Sequence, residues 1–85
     1  MYYVYILQSA VDDRIYIGQT SDLKRRVKEH QVGKGYTTRK YGGVRLVFYE
    51  AFASKEDSLR REKYFKTTKG KSSLRLITRS SLKRS

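Results

Sequence analysis

The chain has no cysteine and no tryptophan, only one histidine, and eight acidic residues against twenty Lys and Arg. Without cysteine neither a disulfide nor a thiolate zinc site is possible, so the fold is held by packing alone. That is consistent with a reducing compartment. A single histidine rules out a zinc site built on paired histidines. No Ser-His-Asp set can be argued around it, and neither GxxxxGK[ST] nor a GxGxxG following a strand occurs. No apolar run reaches the roughly 20 residues of a membrane-spanning helix, and no stretch opposes a basic face to a Leu or Phe face. Met1 runs directly into Tyr2–Leu7 with no basic leader or small-residue cleavage site, so the N-terminus reads as a structural strand and the protein as cytoplasmic.

What is present is positive charge and tyrosine. A formal charge of +12 on 85 residues is a strong long-range field, and it points to a polyanionic partner. Eight Tyr and three Phe supply the large rings that a chain this small needs for its core. One domain spanning 1–85 is expected, with a basic C-terminal tail from about 67.

Residues 2 to 8 are apolar on both alternating faces, Tyr2, Val4 and Ile6 on one and Tyr3, Tyr5 and Leu7 on the other, which predicts a strand covered on both sides. Strand character resumes from Arg14 to Gln19 after the short polar stretch Ser9–Asp13, so the simplest pairing is an antiparallel hairpin whose second strand is closed by Gly18. Thr20, Ser21 and Asp22 are candidate N-caps for a helix running to about Gln31. Residues 32–43 hold four of the six glycines and read as a cationic loop. Val44–Phe52 reads as a third strand, with Leu46, Phe48 and Phe52 on one face and Val47, Tyr49 and Ala51 on the other. Ser54 opens a second helix to about Lys66, on which Leu59, Glu62, Phe65 and Lys66 are taken to share the inward side. From Thr67 onward no acidic residue remains, and a basic helix or turn from about Ser72 to Thr78 is expected to pack its leucines and Ile77 on the body.

On the first helix Leu23, Arg26, Val27 and His30 fall at i, i+3, i+4 and i+7, so an arginine and a histidine share the apolar face. With no acidic partner assigned at matching spacing, an external phosphate is a candidate ligand for Arg26. The alternative is a solvated cationic face together with Lys24, Arg25 and Lys28. Glu62, among Arg60, Arg61, Lys63 and Lys66, is either half of an i, i+4 pair with Lys66 or an anchor for one hard cation, Mg²⁺ or Mn²⁺. His30 is either a core histidine or a proton-transfer group. Tyr5 and Tyr16 are strand aromatics whose rings emerge together near Gly18 if the hairpin forms. A phenol is a poor base at pH 7 unless cations favour its phenolate, and this segment is rich in cations.

Tyr3-Val4-Tyr5, then Tyr16-Ile17-Gly18, then Leu23, Arg26 and His30, and finally Glu62 resemble the pattern of a GIY-YIG nuclease domain over roughly Tyr2 to Lys66. The size resembles that of small bacterial members. The resemblance implies an α/β (α+β) fold, a three-stranded antiparallel sheet flanked by helices. It also implies a metal-dependent DNA endonuclease or nickase, in DNA repair or recombination. By the same resemblance Tyr16 activates or orients the attacking water with Tyr5 beside it, Arg26 stabilises charge on the phosphorus oxygens, and Glu62 holds a single divalent ion. His30 matches a position held by histidine or tyrosine in the family. Tyr3 replaces the glycine of the first tripeptide, and Gln19 stands where some repair members carry a lysine.

No separate DNA-binding domain is read in the chain. Gln19, Lys34, Tyr36, Arg39, Lys40, Lys69, Lys71 and Arg75 are therefore the expected DNA contacts, mainly non-specific ones to the backbone. A monomer is expected, with a dimer as the route to double-strand cleavage. The alternative reading is a catalytically inactive nucleic-acid-binding module or an accessory subunit.

Overall fold

Strand β1 (Tyr2–Ser9) lies in the middle of a three-stranded antiparallel sheet of order β2-β1-β3, between β2 (Ile15–Thr20) and β3 (Val44–Phe52). The computed structural model describes residues 1–10, 12–32 and 43–82. The β1–β2 hairpin pairs Tyr5 with Gly18 and Leu7 with Tyr16, and Ser9 donates to the Arg14 carbonyl at 2.9 Å to close it. Three helices complete the α+β fold: α1 (Leu23–Gln31), α2 (Lys55–Phe65) and α3 (Thr68–Ile77).

The double-sided apolar pattern of β1 does what it predicts. Val4 and Ile6 enter one core with Phe65 of α2 and Leu74 of α3, joined by Ile15, Ile17, Phe48 and Phe52. Tyr5 and Leu7 enter the other with Val44, against Leu23 and Val27 of α1. A central strand buried on both faces is therefore the floor of two layers. Each helix starts at a side-chain cap that satisfies an orphan N–H. The Asp22 carboxylate accepts from Arg25 N, the Ser54 hydroxyl from Asp57 N and the Thr67 hydroxyl from Gly70 N.

Several local expectations change. Simple alternation puts Leu46 with Phe48 and Phe52, but the β1–β3 register slips between Ile6↔Phe48 and Leu7↔Leu46. This bulge turns Leu46 to the α1 side, where it packs on the Tyr5 and Leu7 cluster. Leu59 is 42% exposed, whereas Phe65 is fully buried. Six positions apart on a helix are about 120° out of phase, and Ser58, a full two turns before Phe65, takes the inward place instead. Helix α3 begins at Thr68 rather than Ser72, because Thr67 caps it. Of its apolar residues Leu74 is buried, while Leu76 and Ile77 are exposed.

Gly70 is buried at the α2–α3 junction, and a methyl group there would overlap the Tyr64 carbonyl. At an open helix position Gly→Ala stabilises by roughly 1 kcal/mol. Here Gly70→Ala is expected to destabilise by about 1–3 kcal/mol through overpacking, read as a lower urea midpoint at unchanged m-value.

Candidate active site at the edge of the sheet

A cleft of about 780 Å³ runs along the β2 edge and collects residues from both layers. Tyr5, Tyr16, Gly18 and Gln19 come from the strands, Arg26 and His30 from α1, Glu62 and Lys66 from the end of α2, and Lys71 and Arg75 from α3. Tyr5, Tyr16, Arg26, His30 and Glu62, singled out from sequence, thus line one cavity.

The geometry is centred on Tyr5. Its ring lies over Gly18, opposite it in the ladder, in the space that any side chain at 18 would fill. Glycine is required here for close approach. The Tyr5 hydroxyl is 3.1 Å from His30 Nε2, and it is the largest of the influences that raise the pKa of Arg26 above its ordinary value. His30 Nδ1 is buried and has no partner among the described residues. Burial, and then the charge of Arg26, hold the His30 pKa below its ordinary value, with Glu29 opposing.

Tyr16 Oη is likewise buried without a partner among the described residues. Burial raises its pKa above the usual phenol value, the Asp12 carboxylate adds to this, and Arg14 opposes. The cationic surroundings anticipated from sequence therefore do not favour a phenolate: Tyr16 is a neutral hydroxyl at pH 7.

Arg26 is not without an acidic partner. Its guanidinium meets the Glu29 carboxylate at 3.2 Å, one turn along, and Arg25 shares the same carboxylate at 3.1 Å. An i, i+3 scan of the sequence contains this signal. Glu62 forms the i, i+4 pair with Lys66, at 3.3 Å, and lines the cleft with a side chain only 22% exposed. Among the described residues no three acidic or histidine side chains cluster as a metal site. A single carboxylate suffices to anchor a divalent ion that takes its other oxygens from water and substrate phosphate.

The expected nucleic-acid contacts divide. Gln19, Lys71 and Arg75 line the cleft, and Lys69 is exposed on α3 outside the lining. Lys34, Tyr36, Arg39 and Lys40 lie outside the described residues. Gln19 also has a structural tie that sequence did not suggest: its amide donates to the buried Ser58 hydroxyl at 2.9 Å, joining β2 to α2. Arg14 and Lys66 are further cations of the lining.

Because His30 is the sole histidine, its ring can be titrated by NMR without assignment ambiguity. Its midpoint is expected below 6.5, and Arg26→Ala should move it upward by removing a repelling charge while leaving Glu29. A histidine with a depressed folded pKa contributes stability above its unfolded value that is lost as pH falls through the folded one. Unfolding midpoints should therefore decline on acidification below about pH 6.5, less steeply in a His30→Gln variant.

Residues 1–75 match the family model of the GIY-YIG catalytic domain, which points to a nuclease family. A UPF0213 protein of Clostridium perfringens is 40% identical over 98% of this chain and 89% of its own length. Another, from Streptococcus pyogenes serotype M3, is 42% identical over 82% of this chain and 76% of its own. The NMR structure of a UPF0213 protein from Bacillus halodurans superposes with a TM-score of 0.56 at 42% identity, covering 91% of this chain and 85% of that one. No helix among the described residues is long and apolar enough to cross a membrane. With the paired tyrosine motifs, the arginine and the glutamate meeting in one cleft, the chain belongs to the GIY-YIG family.

Proposed function

We propose that the cleft hydrolyses DNA phosphodiester bonds, making this protein a divalent-metal-dependent endonuclease or nickase. The observation that carries the reading is the convergence of Tyr5, Tyr16, Arg26, His30 and Glu62 on one cavity with a cationic wall of Lys71 and Arg75. Phosphoryl chemistry needs charge stabilisation and positioning more than covalent participation, and this is a set of positioned cations and hydroxyls.

The substrate backbone enters along the wall formed by Lys71 and Arg75, which read charge and not base sequence. Arg26 holds non-bridging phosphate oxygens as negative charge builds on them, exchanging Glu29 for the phosphate. Tyr16, a neutral phenol whose hydroxyl has no partner among the described residues, orients the attacking water. His30 is neutral and reached through the Tyr5 hydroxyl, so a proton leaving the water has an acceptor across one hydrogen bond. Glu62 would hold the metal, which when bound supplies Lewis-acid stabilisation of the charge on the departing 3′-oxygen. The water oxygen bonds to phosphorus, the P–O3′ bond breaks, and the 3′-oxygen takes a proton from solvent.

Supercoiled plasmid is the direct test. Nicking is expected with Mg²⁺ and not with chelator. Arg26→Ala and Glu62→Gln are expected to lower the rate by about 10²- to 10³-fold while plasmid affinity changes little. Binding by the intact protein without nicking would reassign it as a nucleic-acid-binding module. Nicking indifferent to Glu62→Gln would remove the metal assignment alone. Separately, the Lys71→Ala/Arg75→Ala double variant should weaken binding uniformly across sequences and reduce the log Kd versus log salt slope by about 2, measured by anisotropy.

A further inference from the structure

The flank of α1 turned away from the cleft borders a second cavity, of about 750 Å³, which the proposed chemistry does not use. Its walls are Tyr3 and Tyr49 from the sheet, Leu23 and Val27 at the back with Leu46, and Lys24, Lys28 and Gln31 along the rim. Tyr3 is the residue that stands where the family motif has glycine. Its ring does not crowd the cleft. It packs edge-on against Tyr49, centroids 6.1 Å apart and planes at 64°. Tyr49 is 50% exposed, an unusual position for an aromatic of a sheet otherwise covered by helices.

The charge on this rim selects the occupant. Lys24 and Lys28 form no ion pair among the described residues. The one carboxylate of the lining, Asp22, is already engaged by the backbone N–H and the guanidinium of Arg25. Two free ammonium groups over an aromatic floor, in a chain of net charge +12, suit a ligand that carries both a π-face and a phosphate. The cavity is of the size that holds a nucleotide. A base within a duplex is stacked on its neighbours and cannot lie on a protein ring, so the ligand is an unpaired nucleotide. Helix α1 separates the two cavities by about one helix diameter, 10–12 Å, a distance spanned by a few nucleotides of one strand.

We propose that the Tyr3–Tyr49 cavity is a subsite for an unpaired nucleotide of the strand that lies in the cleft, so that DNA with a single-stranded segment beside the cut is bound in preference to continuous duplex. The choice of that strand as ligand rests on the nuclease reading, but the subsite is tested by binding alone, in chelator, where no cleavage is needed.

The chain has no tryptophan, so Tyr49→Trp creates a single reporter at the cavity. Its emission is expected to be quenched by an oligothymidylate and by a duplex bearing a single-stranded flap, and to change little with a blunt duplex of equal length. In anisotropy, Tyr49→Ala should weaken oligothymidylate binding by about tenfold, with Tyr49→Phe restoring it and duplex affinity shifting less than twofold. Unquenched emission when anisotropy shows the single strand bound would overturn the proposal. So would an equal loss of duplex and single-strand affinity in Tyr49→Ala. Emission that depends on protein concentration without DNA would assign the cavity to a second copy of the chain and overturn it equally. Absence of plasmid nicking by the intact protein would count against the nuclease reading and leave these outcomes unchanged.

Discussion

The Tyr5 phenol is the point on which the candidate site depends. It belongs to the central strand, is 3% exposed, and has its ring in the space left free by Gly18 on the neighbouring strand. Its hydroxyl sits 3.1 Å from His30 Nε2 and does most to raise the pKa of Arg26. A single buried polar group thus ties two side chains of α1 to the sheet, in surroundings where an unmet hydroxyl is costly. The contact with His30 depends on that hydroxyl, and the hydroxyl's position follows from an absent side chain at 18.

Helix α2 lies in the opposite layer, yet its carboxylate reaches the same cleft because β2 is an edge strand and the sheet is only three strands wide. Two contacts fix the rotation of α2 about its axis. Gln19 holds Ser58 from the β2 side, and Arg61 meets the Glu50 carboxylate of β3 through two nitrogens at 2.8 and 3.3 Å. The Arg61 guanidinium also covers the Phe65 ring at 4.3 Å from its centroid. A forked ion pair stacked on an aromatic is directional in a way that apolar packing is not. With Arg61 turned to β3, the next residue, Glu62, is turned to the cleft.

What the sequence disclosed were features carried by spacing and by residue type. The double apolar face of β1, the caps at Asp22 and Ser54 and the shared face of Arg26 and His30 all correspond to the structure. Features that depend on phase or on a partner far along the chain were hidden. The bulge that moves Leu46 leaves no local mark in Val44–Phe52, because either alternation of that strand is apolar. Leu59 and Phe65, read onto one side at i and i+6, are turned apart by the helix. The Gln19–Ser58 tie joins residues of unremarkable type from separate elements. The Glu29 partner of Arg26 was legible at i+3 and was obscured by the abundance of basic residues around it. Tyr3 read as a bulky substitution in a motif, and only its edge-on contact with Tyr49 shows which side of the sheet that bulk serves.

The ion pairs explain how a strongly basic chain keeps a cleft ready for an anionic substrate. Asp22, Glu50 and Asp57 are matched with Arg25, Arg61 and Arg60, Asp12 holds the cleft residue Arg14, and Glu29 and Glu62 hold its cations Arg26 and Lys66. Their pairs with Arg26 and Lys66 have cation side chains 39% and 55% exposed, and exposed pairs of this kind are worth about 0–1 kcal/mol. On the proposed reading Arg26 exchanges Glu29 for phosphate, and Glu62 exchanges Lys66 for the metal. Each exchange replaces one screened partner by another and costs little. The cations of α3 need no exchange, since no acidic residue follows Glu62 and neither Lys71 nor Arg75 forms an ion pair among the described residues. On that reading the cleft divides by function: α3 supplies standing charge that draws the polyanion in, and the weak pairs of α1 and α2 hold the reacting groups in place until the polyanion arrives.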